Sequence, residues 1–118
     1  MHKIAVYGSL RVGEYNFKRM ELFGEINHIS TTTIQGWDLF SLGPYPGIKP
    51  GAGTIVVDLL ECDDRVYQYI YGMEIGAGYI EREINIDGEL YKIYEYTGGT
   101  WTEAIPTGDW LKQQVEYV

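Results

Sequence analysis

Read for its alternation of apolar and polar positions, the chain opens on a short buried strand, Lys3 to Tyr7. It breaks at Gly8-Ser9-Leu10-Arg11, with Gly13 close behind. Residues 15 to 24 carry Phe17, Met20 and Leu22/Phe23 at near-helical spacing and predict a weak helix. Ile29 to Ile34 is Thr-rich and β-branched, and predicts a strand. Gly36 to Gly43 predicts another, and Pro44, Pro46, Gly47 and Pro50 predict a rigid loop. Thr54 to Leu60 is a continuous apolar run, as expected of a central strand.

Asp63-Asp64 can cap a helix. Val66, Tyr69, Ile70 and Met73 then recur at i, i+3, i+4 and i+7, one apolar face of about two turns. Glu74 follows that face, and Gly76-Ala77-Gly78 ends the helix. Tyr79 to Ile86 alternates, with Ile80, Ile84 and Ile86 on one face and Tyr79, Glu81, Glu83 and Asn85 on the other. Asp87-Gly88 is a two-residue hairpin signal, and Glu89 to Thr97 is the return strand. Gly98-Gly99 turns again, and Gly108-Asp109-Trp110 precedes a short C-terminal segment. The sum is about six strands and two short helices in an α+β or barrel-like arrangement.

Length and charge narrow this picture. The 118 residues predict a single domain over 1–118. Eleven Tyr and 15 Gly favour strands and turns over a helical bundle. A net charge of −8 without a Lys/Arg cluster argues against nucleic acid or an anionic membrane as partner. It mildly favours cationic small molecules. The one cysteine, Cys62, predicts a half-buried core thiol rather than a disulfide. No signal peptide or transmembrane run is read, so a cytoplasmic location is expected. His2 and His28 have no Cys, Asp or Glu at ligand spacing, so no metal site is expected.

Three places can carry chemistry. Glycine directly after a buried strand lets backbone approach a ligand, and successive N–H groups in Gly8-Ser9-Leu10 can face one oxyanion. The alternative is an ordinary strand-ending turn. Glu74, between Met73 and Ile75, should lose solvation, which raises its pKa and suits it to general acid/base work. The alternative is an exposed Glu at a helix C-terminus, where its charge opposes the dipole. In Tyr79 to Glu83, Tyr79 can offer a hydroxyl and Arg82 can pair a carboxylate. The alternative is a solvent-facing strand with cross-strand ion pairs.

These pieces together resemble the γ-glutamylcyclotransferase-like family. Tyr7-Gly8-Ser9-Leu10-Arg11 is similar to its N-terminal signature, Y-G-S/T-L-R. Leu42-Gly43-Pro44-Tyr45-Pro46-Gly47-Ile48 is similar to its middle loop. Val57-Asp58-Leu59-Leu60 stands where the family has G-E-L-Y, Ile70 to Glu74 where it has L-D-x-x-E, and Gly108-Asp109-Trp110 matches its G-D/N-W. The resemblance covers residues 3 to 110, with Val57 replacing a family Gly and Tyr71 its Asp.

The resemblance implies a small mixed β-barrel of about six strands flanked by short helices. It implies an enzyme in which a γ-glutamyl α-amine attacks its own γ-carbonyl, giving 5-oxoproline and releasing an amine or amino acid. Glu74 falls on the family's catalytic Glu, and no metal or cofactor is needed. Tyr7, Gly8, Ser9 and Leu10 would form the substrate loop, and Arg11 or Tyr79 would meet the substrate carboxylate. The alternative on the same fold is a non-catalytic small-molecule-binding or protein-interaction module.

Overall fold

The computed structural model describes residues 1–99 and 103–115, the side chains of 113–115 excepted. Its elements are β1 His2–Val6, α1 Tyr15–Met20, β2 Ile26–Ser41, β3 Pro46–Cys62, α2 Asp64–Gly76, β4 Tyr79–Ile86, β5 Glu89–Tyr96, β6 Glu103–Ala104 and α3 Trp110–Val115. The strands form one sheet in the order β4-β5-β1-β3-β2-β6, curled into a half-barrel. The sheet is mixed because β1 runs parallel to β5 and antiparallel to β3.

β1 is central because its inner residues are apolar. Ile4, Ala5 and Val6 are buried between β3 and β5, and the loop carrying the sequence motif leaves from the C-terminal end of this strand. The Val-rich run of β3 lies alongside, with Ile55, Val57, Leu59 and Leu60 buried.

The middle of the chain differs from the sequence reading. Residues 29–34 and 36–41 are not two strands but parts of one 16-residue β2, residues 42–43 belong to the turn that follows, and residues 46–50 are not loop but the start of a 17-residue β3. The turn between them spans only residues 42–45, closed by the Leu42 N–H donating to the Tyr45 carbonyl at 2.8 Å. Gly36, at φ +94°, marks a bulge between Gln35 and Trp37 rather than a strand end. Pro46 is the first residue of its strand and Pro50 sits opposite that bulge, the two places where a missing N–H is tolerated in a sheet. A bulge at Ile29 of β2 and a second irregularity, where residues 51–53 of β3 lie opposite Gly36 alone, bend this hairpin and curl the sheet.

α2 forms as expected. The Asp63 side chain accepts from the Val66 N–H at 2.9 Å, Val66 and Ile70 are buried, and Gly78 at φ +96° turns the chain away. Tyr69 completes the face from its edge by stacking on Phe23 at 4.3 Å. α1 is shorter than expected, ending at Met20, and a third helix, α3, occupies the C-terminal segment. The Asp87-Gly88 turn has both residues at positive φ, 52° and 86°, which suits the twist of the β4–β5 hairpin. Cys62 is fully rather than half-buried, and burial pushes its thiol up to about 12. Among the described residues no helix is long and apolar enough to cross a membrane.

Candidate active site

The loop leaving β1 is held on three sides. Its turn closes when the Arg11 N–H donates to the Gly8 carbonyl at 2.9 Å. This leaves the Ser9 and Leu10 amides inside the turn without a backbone acceptor among the described residues. Asn16, buried at the head of α1, donates its N–H to the Ser9 carbonyl at 3.1 Å and its amide group to the Ser9 hydroxyl at 2.7 Å. The buried Tyr7 hydroxyl donates to the Tyr94 carbonyl at 2.7 Å. Gly8 is required here by close approach: a Cβ would stand 2.6 Å from Cγ of Pro46.

This loop and the last turn of α2 line one cavity of about 700 Å³, with Glu74 on the cavity wall. Glu74 is half-buried, and burial is the cause that raises its carboxyl to about 7. Its charge in turn adds to the upward shifts that burial gives the phenols of Tyr7, Tyr79 and Tyr94. The carboxyl therefore belongs to a pocket with several tyrosines in its wall, where it holds a proton more tightly than in solution.

The sequence-predicted residues divide. Tyr7, Gly8, Ser9, Leu10, Glu74 and Tyr79 all line the one cavity. Tyr79 is only 8% exposed, and its hydroxyl donates to the Pro46 carbonyl, so it presents its ring rather than a free hydroxyl. It also meets Tyr96 edge-on at 5.2 Å. Arg11 is not brought to the cavity. Its buried guanidinium bonds Asp58 at 3.2 Å and Asp109 at 2.9 Å, on the other side of the loop. Arg82 is also outside, paired across the hairpin with Glu95 at 3.0 Å.

Glu81, read as solvent-facing, is instead largely covered. It accepts from Tyr67 at 2.6 Å and Tyr94 at 2.8 Å, which keeps it ionised despite burial. Sequence reading did not single out Asn16, Arg19, Tyr94, Tyr96 and Trp110, which also line the cavity. Their signal was present only in part. Trp110 belongs to the quoted Gly-Asp-Trp motif, whereas Asn16 and Arg19 lie in a short helix with no motif spacing of their own. Among the described residues no three His, Cys, Asp or Glu side chains gather in a metal-holding group.

Residues 4–112 match the protein family described as gamma-glutamyl cyclotransferase, AIG2-like. The chain is 28% identical to YtfP of Escherichia coli, a gamma-glutamylcyclotransferase family protein, over 92% of this chain and 96% of that one. It is 31% identical to PH0828 of Pyrococcus horikoshii over 91% of this chain and 89% of that one. The crystal structure of PH0828 superposes with a TM-score of 0.87, covering 99% and 96% of the two chains at 25% identity in the structural alignment. An aig2-like protein from Mus musculus shares the fold at 19% identity, with a TM-score of 0.73 over 93% and 94% of the two chains.

Proposed function

The chain belongs to the gamma-glutamyl cyclotransferase, AIG2-like family, and we propose that it is a γ-glutamyl cyclotransferase with Glu74 as its general acid and base. The observation that carries this reading is a half-buried carboxyl, raised to about 7, in the same cavity that Ser9 and Leu10 line.

The reaction needs a neutral amine. An α-ammonium has a pKa near 8. Against an ordinary Glu at 4.5 the proton transfer would run uphill by about 3.5 units, roughly 5 kcal/mol. Against Glu74 at about 7 the gap is about one unit, roughly 1.4 kcal/mol. Burial of Glu74 thus supplies most of the match between acid and base.

The freed amine attacks the γ-carbonyl carbon, forming the ring C–N bond. The oxyanion that develops on the carbonyl oxygen is met by the Ser9 and Leu10 N–H groups. When the tetrahedral intermediate collapses, the bond to the leaving nitrogen breaks and Glu74 returns its proton there, while the second proton of the ring nitrogen passes to the released amine, which departs as an ammonium. The products are 5-oxoproline and a free amine or amino acid, with no net gain or loss of protons. A preorganised oxyanion donor is typically worth about 3 kcal/mol. Holding the amine against the carbonyl contributes the entropic part of the rate. Gly8 lets the loop pack on Pro46, Tyr7 anchors its start, and the Tyr79 ring walls the glutamyl chain.

The test is mass spectrometry for 5-oxoproline after incubation with γ-glutamyl-amino acids, γ-glutamylamines and glutathione. The wild type is expected to form product. Glu74→Gln, which keeps the shape but cannot carry the proton, is expected to lose about a hundredfold or more. Equal turnover by the two proteins would remove Glu74 from the reaction. Absence of product from the wild type, with ligand binding retained, would leave a binding module.

A further inference from the structure

A γ-glutamyl compound carries charges that the cavity must meet, and the charged side chains lining it are Glu14, Arg19 and Glu74. Glu74 is assigned to the amine. Arg19 is therefore the cation that the cavity presents, and it is held in place without being neutralised. One Nη donates to the Tyr69 hydroxyl at 2.8 Å and the other to the Asn16 side-chain oxygen at 3.5 Å. The guanidinium lies 5.8 Å from the ring centres of both Tyr15 and Tyr69. No carboxylate pairs with it among the described residues, whereas Arg11 and Arg82 each have one. Of five guanidinium N–H donors, two are engaged and three remain among the described residues.

Its neighbours place it toward the open end of the cavity. Tyr15, at 72% exposed, and Tyr45, at 56%, form with Pro44 and Ala77 the exposed part of the lining and mark the mouth. The buried Tyr7 and Tyr94 lie at its inner end. Arg19 stands over Tyr15 and so belongs to the mouth, the side from which a leaving group departs. The cause resolved for the raised carboxyl of Glu74 is burial, with no offset from a neighbouring cation, which agrees with Arg19 standing away from the amine site.

Resting on the reading of this cavity as a γ-glutamyl site, we infer that Arg19 is a specificity residue that receives a carboxylate on the leaving group. The favoured substrates are then γ-glutamyl-amino acids with a free carboxylate rather than γ-glutamylamines or polyamine conjugates. This reverses the preference for cationic molecules that the net charge alone suggests. A planar guanidinium with free donors binds a carboxylate by donating two parallel hydrogen bonds, while the Tyr69 and Asn16 contacts fix its plane in advance.

The experiment compares γ-glutamyl-alanine with γ-glutamyl-alaninamide, which differ only in that carboxylate. Calorimetric binding is measured in Glu74→Gln, with and without Arg19→Met, and 5-oxoproline formation is measured in the wild type, Arg19→Met and Arg19→Lys. Binding of the acid should exceed that of the amide by about ten- to a hundredfold. Arg19→Met should abolish that preference while leaving the amide little changed, and Arg19→Lys should restore part of it. Equal binding of acid and amide would overturn the inference, as would no binding of either. So would an Arg19→Met variant that weakens both alike, which would place Arg19 on the glutamyl half. A preference that persists in binding while the wild type makes no 5-oxoproline would sink the catalytic reading and leave Arg19 standing. Turnover without any preference would do the opposite.

Discussion

At the residue scale the consequences centre on Glu74 and Gly8. A carboxyl raised to about 7 must ionise before it can take a proton from the substrate ammonium, so kcat/KM should rise through about pH 7. It should fall again above about pH 8, where the substrate amine is already neutral and the general acid is lost. The same shift has a stability side. A folded-state pKa above the unfolded value of 4.5 contributes stability that is fully present below 4.5 and lost as pH rises through about 7. Glu74→Gln cannot ionise and should escape that loss. Its melting temperature should match the wild type near pH 4.5 and exceed it near pH 8, as differential scanning calorimetry would show. A variant less stable at both ends would mean that Glu74 serves packing. Gly8→Ala, by contrast, drives a methyl into Pro46 and should cost about 1–3 kcal/mol in denaturant unfolding. Because the loop must shift to relieve the clash, activity should fall more than stability alone would explain.

At the element scale, the loop after β1 is fixed by a buried ionic cluster that ties it to three elements, β2, β3 and α3. Asp58 of β3 accepts from Arg11 at 3.2 Å, from the Val12 N–H at 2.9 Å and from Thr31 of β2 at 2.6 Å. Asp109 accepts from Arg11 at 2.9 Å and from the Leu111 N–H of α3 at 3.0 Å. Despite burial, these hydrogen bonds from Thr31, Val12 and Arg11 hold the Asp58 carboxyl below its usual range. Arg11→Ala would strand that charge, and removing one partner of such a pair typically costs about 3–5 kcal/mol. The loss should be largest near neutral pH and shrink in acid, because a depressed pKa contributes stability above the unfolded value of 3.8 and loses it below. Urea unfolding at pH 7 and pH 3 would measure both. This cluster shows where sequence reading stopped. The motif Tyr7 to Arg11 was legible, but the partner of Arg11 was not, since Asp58 and Asp109 lie 47 and 98 residues away. Pro46 and Pro50 misled for a related reason: a proline breaks a strand only where its N–H would be needed, and that depends on pairing with residues not yet placed. Local signals such as Asp63 before α2, or Asp87-Gly88 between β4 and β5, carried their own geometry and were read correctly.

At the scale of the whole molecule, the curled sheet has β1 at its centre, and cavity and core share that strand: Ala5 and Val6 belong to the buried cluster and also line the cavity. The site is therefore coupled to the stability of the sheet rather than carried on a detachable lid. Glu74 lies two turns beyond the buried Val66 of α2, and β3 runs directly into the Asp63 cap of that helix. Cys62, the last residue of β3, offers a probe of this coupling. It is fully buried, pairs in register with His2 of β1 and Ile26 of β2, and its thiol is pushed up to about 12, so the reactive thiolate is nearly absent in the folded state at pH 8. Labelling by a thiol reagent should then require opening of the β1–β3–β2 centre. If sheet, helix and site open as one unit, the urea midpoint for Cys62 labelling should coincide with that for loss of circular dichroism. Ligand bound in the cavity should move both midpoints together. Labelling that precedes the loss of circular dichroism would instead show that the end of β3 opens separately, and the join between the sheet and the helix bearing Glu74 would then be the first part of the fold to give way.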